Sequence, residues 1–325
     1  MRRLMTWVCL GGLVACGART ALNADVLEEQ TPPTNQSPKD SGNDTGADAG
    51  KDASDALPPI DAVPPPVDVV IKDDCVSPET NFIYLVSDND ELYSFYPPSG
   101  AVRDIGHISC PSRTNPNILS SSHPFSMAVD RKGVANVIFS DGTLYKVSTK
   151  TAACTYSGYN TDGETLSRFG MGFSSNTGGP EETLFLAGDE DIGGRNGLAS
   201  LDVAAGRMNF ISAFPRGVGR MELTGTGDGR LYAFYGRQNR AGTFIGELNK
   251  TNATIIGEQA FPQLDFGKGW AFAQFAGDFY MFTTPDGVPT TMATKFDPVT
   301  GQTSVVQTFP NVIVGAGVST CAPDQ

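Results

Sequence analysis

Four polar or aromatic side chains lie in short apolar segments where they could act on a ligand. Asp130 closes the segment SMAVD, Glu222 lies in MELTGT, and Trp270 and Gln274 belong to WAFAQF. Two carboxylates at a defined separation are the acid–base groups of glycoside hydrolysis, and an aromatic ring can stack on a sugar. Because the sequence does not establish that Asp130 and Glu222 face one cavity, no catalytic residue is assigned, and all four are candidates for lining a central channel.

Other chemistries find less support in the residue types and spacings. No CxxC or CxxH pair occurs, and His107 and His123 are the only histidines, so a zinc site is not expected. Asp189 and Asp191 in GDEDIGG could bind calcium, although an exposed acidic hairpin is favoured because the loop lacks a full set of spaced oxygen ligands. With no GxSxG motif and no phosphate-binding loop, the sequence predicts neither a metal nor a cofactor.

A unit of about fifty residues recurs from Cys75 onward. Each unit contains an apolar strand, a polar turn that closes on Gly or Ala, and a further strand, with no helix-length 3.6-residue period anywhere. The spacings between successive turn-closing residues are 52, 54, 47 and 48; these residues are Gly100, Ala152, Gly206, Ala253 and Gly301. Even spacing with four strands per unit is typical of a β-propeller, with each unit forming one blade.

The two ends of the repeat region complete one another. The first unit, over NFIYLVS, ELYSFYP and AVRDIGHIS, lacks an inner strand, whereas GAGVST at 315–320 has the small residues of an inner strand and no strand after it. The sequence therefore predicts an all-β, five-bladed propeller over 75–325, closed by its C-terminal strand. Six or more blades, or a chance string of hairpins in a sandwich, are the alternatives.

Residues 17–74 form a segment of different composition, rich in Pro, Asp, Ala, Ser and Gly and without an aromatic residue. It carries 12 acidic and four basic residues, so it holds most of the chain's net charge of −13. Such a segment cannot bury enough apolar surface to fold, and we expect a disordered tether rather than an acidic site for a basic partner or a cation. The acidic balance and the lack of a basic stripe argue against nucleic acid as a partner.

The first sixteen residues have the pattern of an export signal. Arg2 and Arg3 precede an apolar run too short to span a bilayer, and the run ends in Leu13-Val14-Ala15-Cys16. This ending resembles the bacterial lipobox, which implies that residues 1–16 form a lipoprotein signal peptide and that Cys16 becomes a diacylglyceryl anchor. By the same resemblance, Gly17 in place of Asp favours the outer membrane. An ordinary secretory signal with a chance Cys is the alternative.

Four cysteines remain after Cys9 and Cys16. In an oxidising compartment four cysteines indicate two disulfides, for which three pairings exist. Cys75 precedes the first predicted blade and Cys321 ends the strand that would close it, so we expect a Cys75–Cys321 bond. Cys110 and Cys154 lie at the outer strands of the first two units and are expected to pair between neighbouring blades.

The globular part as a whole also resembles known proteins. With FSMAVD, FGMGF, ELTGTGDGRLYAF, WAFA and VGAGVSTCAP, it is similar to a group of uncharacterised myxobacterial lipoproteins that share the tether and the propeller-like repeats. The resemblance implies an exported propeller of unknown activity and supplies no catalytic residues. Because propellers offer a broad face of loops and the sequence shows no nucleophile motif or metal triad, we favour a monomeric binding module on a membrane anchor, with an unknown protein or glycan ligand. A carbohydrate-active enzyme with carboxylates in its axial channel is the alternative function.

Overall fold

The protein is a ring of five four-stranded antiparallel sheets, which is a five-bladed β-propeller. The computed structural model describes residues 75, 77–176, 180–188 and 195–324. In this part of the chain the helical structure is one 3-10 turn at Pro78–Asn81, and no helix there is long and apolar enough to cross a membrane. The predicted fold class and number of blades are confirmed.

Blade 1 is the blade that both ends of the chain build. From the axis outward it consists of β20 (Ile313–Val318), β1 (Ile83–Ser87), β2 (Glu91–Tyr96) and β3 (Ala101–His107). β20 pairs antiparallel with β1, with Ile83 opposite Val318 and Leu85 opposite Ala316. The GAGVST segment therefore supplies the missing inner strand, as predicted.

The other four blades follow in chain order, each running from the axis outward. Blade 2 consists of β4 (Pro124–Val129), β5 (Val134–Phe139), β6 (Thr143–Ser148) and β7 (Cys154–Asn160). Blade 3 consists of β8 (Phe169–Ser175), β9 (Glu182–Gly188), β10 (Gly197–Asp202) and β11 (Arg207–Ser212). Blade 4 consists of β12 (Val218–Gly225), β13 (Leu231–Arg237), β14 (Arg240–Leu248) and β15 (Ile255–Phe261). Blade 5 consists of β16 (Gly269–Phe275), β17 (Asp278–Thr284), β18 (Thr291–Asp297) and β19 (Gln302–Phe309).

The repeating Gly or Ala marks the hairpin between the third and fourth strand of each blade. All five of these residues have positive φ, between 56° and 72°, the left-handed conformation that such a tight turn requires. At Ala152 and Ala253 a methyl group occupies this conformation, and both side chains are buried against the apolar layers between blades. Burial of the methyl group offsets the backbone strain at these two turns.

The apolar core lies between neighbouring blades, because each sheet packs its two faces against the next sheet in the ring. Five buried clusters fill the five interfaces. The inner strands are so close that only glycine fits at several points: a Cβ on Gly170 would lie 2.0 Å from the carbonyl oxygen of Met221. Convergence on a narrow axis thus explains the small residues of the inner strands.

Both expected disulfides are formed. Cys75 and Cys321 are bonded with their Cα atoms 5.5 Å apart and enclose a sequence separation of 246, which fastens the ring where it closes. Cys110 and Cys154 are bonded with their Cα atoms 5.0 Å apart and join blade 1 to blade 2. In the chain-entropy description, loops of these lengths correspond to about 5 and about 4 kcal/mol as upper figures.

Candidate functional site

Glu222 lies on the axis of the ring and reaches across it. Ser126 Oγ on β4 donates a hydrogen bond of 2.7 Å to Glu222 Oε2 on β12, so the contact joins blade 2 to blade 4. The strand between them, β8, carries Gly170 and Gly172, which place no side chain in the way. The sequence predicted Glu222 as a channel-lining residue, and the structure places it in a buried contact between two inner strands.

Burial sets the protonation of this carboxyl. Glu222 is 1% exposed, and desolvation raises its pKa to about 8, against the hydrogen bond from Ser126 and the charge of Arg220, which lower it. Its second oxygen, Oε1, has no hydrogen-bond partner among the described residues. At neutral pH the carboxyl is therefore mostly protonated and uncharged.

The axis is closed at one level. The space between Ala128, Gly172, Thr224 and Gly317, on four of the five inner strands, leaves no room for a water molecule. A substrate cannot reach Glu222 through this constriction. The expectation of an open channel lined by carboxylates is therefore not met in the part of the chain that the structure describes.

Trp270 and Gln274 are packing residues at opposite ends of β16. Trp270 is 4% exposed, its ring lies 3.9 Å from the ring of Phe266, and the Arg220 guanidinium lies 5.0 Å from its centroid. Gln274 donates from its backbone N–H to Thr224 Oγ1 at 3.1 Å and from Nε2 to the carbonyl of Asp324 at 3.2 Å. Neither side chain presents a surface on which a sugar could stack.

Asp130 lies far from Glu222. Ser126 is level with Glu222, and Asp130 follows four residues later along an extended strand, roughly 13 Å further. Asp130 Oδ1 accepts hydrogen bonds of 2.9 Å from the N–H groups of Lys132 and Val134 and so closes the turn between β4 and β5. The structure does not bring the two predicted carboxylates together.

Instead, Asp130 lines a cleft of about 700 Å³ between blades 2 and 3. The blade 2 wall is polar and carries Asp130, Lys132, Asn136 and Lys146. The blade 3 wall carries an apolar patch with acidic residues around it, namely Phe173, Leu184, Leu201, Glu181, Glu182 and Asp202. This cleft is the candidate functional site.

Glu182 is the second carboxyl of the cleft, and sequence reasoning missed it. Burial, with a smaller contribution from the negative charge of Asp130, raises its pKa to about 7, against two hydrogen bonds and the charge of Arg131, which lower it. Those bonds come from the Arg131 N–H to Oε1 at 2.7 Å and from Thr320 Oγ1 to Oε2 at 2.8 Å. Burial likewise raises the pKa of Asp130. Both oxygens of Glu182 accept hydrogen bonds, and the bond from Thr320 ties this side of the cleft to the segment that follows the closing strand β20.

Asn136 is the other residue that sequence reasoning missed. It is 2% exposed on β5, and its Oδ1 has no partner among the described residues. The available signal was a polar residue in the otherwise apolar strand VANVIF. A buried strand pairs with its neighbours through backbone hydrogen bonds and does not need a polar side chain for this purpose.

Several predicted features lie outside the described residues. These are the signal peptide 1–16 with Cys16, the tether 17–74, and the candidate calcium ligands Asp189 and Asp191. Within the described ranges, no group of three or more His, Cys, Asp or Glu side chains is placed to hold a metal ion.

Comparisons with known proteins give likenesses of low identity. No protein-family model and no curated protein matches the chain. A structure of a nidogen–laminin complex is 12% identical over 75% of this chain and 99% of that chain, with a TM-score of 0.43. A putative exo-β-1,3-galactanase from Bifidobacterium bifidum s17 is 14% identical over 62% of this chain and 74% of that chain, with a TM-score of 0.45. The Dos1 propeller is 11% identical over 73% of this chain and 56% of that chain, with a TM-score of 0.34. The fold assignment rests on the strand pairing of this chain, and these likenesses say nothing of its activity.

Proposed function

We propose that this protein is an exported lipoprotein whose propeller serves as a binding module on a long tether. In this proposal Cys16 carries the lipid, residues 17–74 hold the propeller clear of the outer membrane, and the cleft between blades 2 and 3 receives the ligand. The LVAC pattern and the composition of the tether support the anchor.

The observation that carries the proposal is the disulfide-fastened ring. All four cysteines that follow Cys16 are used in two bonds, Cys75–Cys321 and Cys110–Cys154. Disulfides of this kind persist in oxidising compartments and are rare in the cytosol, so the pairing supports export.

Binding is favoured over catalysis by the geometry of the carboxylates. The axis has a constriction that admits no water, Glu222 is buried, and Asp130 lies roughly 13 Å further along the axis than Ser126, the partner of Glu222, so the two carboxyls do not form a pair around a substrate. The cleft offers polar and apolar walls of the kind that hold a small ligand, within the usual range of roughly 300–1,000 Å³.

Metabolic labelling with a palmitate analogue tests the anchor. The full chain should incorporate label, Cys16→Ala should lose it entirely, and Cys9→Ala should keep it, since Cys9 leaves with the signal peptide. Equal labelling of Cys16→Ala and wild type would refute the lipoprotein assignment.

A further inference from the structure

The cleft between blades 2 and 3 begins where the apolar interface between these blades ends. Deeper in the interface, Ile138 on β5 and Leu144 on β6 stand opposite each other and pack against blade 3. Two residues further along each strand, the facing pair is Asn136 and Lys146, which lie across the cleft from Phe173, Leu184 and Leu201. An amide and an amine thus face an apolar wall.

Asn136 is the feature that points to a ligand. An amide oxygen that is buried without a hydrogen bond costs about 1–3 kcal/mol, and a leucine at this position would continue the Ile138–Leu144 layer at no such cost. Its neighbour in register, Lys146, is exposed and lines the same wall of the cleft. A ligand hydroxyl could both donate to Oδ1 and accept from the lysine.

The two walls together favour an amphipathic ligand. Phe173, which is 8% exposed, lines the cleft beside the more deeply buried Leu184 and Leu201, whereas the opposite wall offers amide, ammonium and carboxylate groups. A pyranose ring has this division, with C–H groups on its faces and hydroxyls around its rim.

The charges of the cleft nearly cancel. Its cationic residues are Arg131, Lys132 and Lys146, and its acidic residues are Asp130, Glu181, Glu182 and Asp202. Because the site has no marked excess of either sign, it does not select a strongly charged ligand by long-range attraction.

We propose that the cleft binds an uncharged saccharide, with Asn136 bonding a hydroxyl and Phe173 packing against the C–H face of the ring. This inference rests on the proposed function as a binding module, and it names the ligand class of that site.

The test is binding of the full chain, purified in detergent, to an array of neutral, anionic and cationic glycans and to an array of envelope proteins. Neutral glycans that bind are then titrated by saturation-transfer-difference NMR. Asn136→Leu should weaken their binding at least about tenfold, the effect of one lost hydrogen bond, while the melting temperature stays the same or rises because the unpaired amide is gone. Phe173→Leu, which keeps the cleft wall apolar, should also weaken binding.

Asn209→Leu is the matched control, since it makes the same change at an exposed position on the outer strand of blade 3. Its binding should equal that of wild type. Binding of charged glycans alone, or neutral glycans bound equally well by Asn136→Leu and Phe173→Leu, would overturn the inference. Binding to an envelope protein and to no glycan would overturn the assignment of a saccharide ligand, although the function as a binding module would still hold. Absence of binding on both arrays would contradict the binding module itself.

Discussion

Ser126 on blade 2 and Glu222 on blade 4 are joined by a 2.7 Å hydrogen bond through the centre of the ring. The two residues are 96 positions apart in the chain, and the glycines of blade 3 leave the space through which they meet. The contact makes a protonated carboxyl part of the packing on the axis, because a carboxylate there would be desolvated without full hydrogen bonding.

Replacement of Glu222 by glutamine should therefore change how stability depends on pH. In the folded protein the pKa of Glu222 is about 8, above its ordinary value of 4.5. The folded state then holds a proton that the unfolded state releases, so stability is full below about pH 4.5 and is lost as the pH rises through about 8. Over this window the wild type should lose on the order of 4 kcal/mol relative to Glu222→Gln.

Urea unfolding at pH 5, 6, 7 and 8.5 measures this difference. Glu182 and Asp130 also have raised pKa values and contribute to the slope of both proteins, so the quantity to compare is the free-energy difference between wild type and variant. A difference that is constant across the range would show that Glu222 titrates normally in the folded state.

The narrow axis predicts a strong effect from a single methyl group. Gly170→Ala places a Cβ 2.0 Å from the Met221 carbonyl oxygen, and because the nearest atoms all belong to the backbone of β12, no flexible side chain can move aside. We expect a loss of at least about 3 kcal/mol in the free energy of unfolding. In Gly287→Ala, the control, the added methyl meets open space at φ 81° and should cost only about 1 kcal/mol of backbone strain. Equal melting temperatures for the two variants would contradict the close packing of the inner strands.

Ring closure can be tested by truncation. Deletion of residues 312–325 removes β20 and Cys321, which exposes the edge of β1 and opens the ring. Deletion of residues 31–44, the same length of tether, should leave the melting temperature unchanged. If the two truncated proteins melt at the same temperature, the C-terminal strand does not close the ring.

The architecture was predictable from the sequence because the repeat has a physical cause at each position. The turn-closing Gly or Ala marks the left-handed residue of one hairpin per blade, and this residue gave the spacing near fifty. The small residues of GAGVST matched the crowding at the axis. The strand NFIYLVS lacked a partner on its inner side, and this indicated that GAGVST pairs with it.

The candidate site was less predictable, since it depends on where strands end rather than on their pattern. Position near an inner strand made both Glu222 and Asp130 candidates for the axis, but it could not show that Asp130 lines the cleft between two blades. Glu182 is brought to Asp130 only by the packing of blade 3 against blade 2. Asn136 was detectable as a polar residue in an apolar strand, but one such residue has many structural explanations.

Peptide mapping without reduction, on protein isolated from its native host, tests the central claim of a closed ring in an oxidising compartment most directly. We predict two cross-linked peptide pairs, one joining Cys75 to Cys321 and one joining Cys110 to Cys154. Both pairs disappear on reduction if they are disulfides. A peptide joining Cys75 to Cys110 would contradict the shared blade of the two chain ends, and free thiols at all four positions would contradict both the closure and the export of the protein.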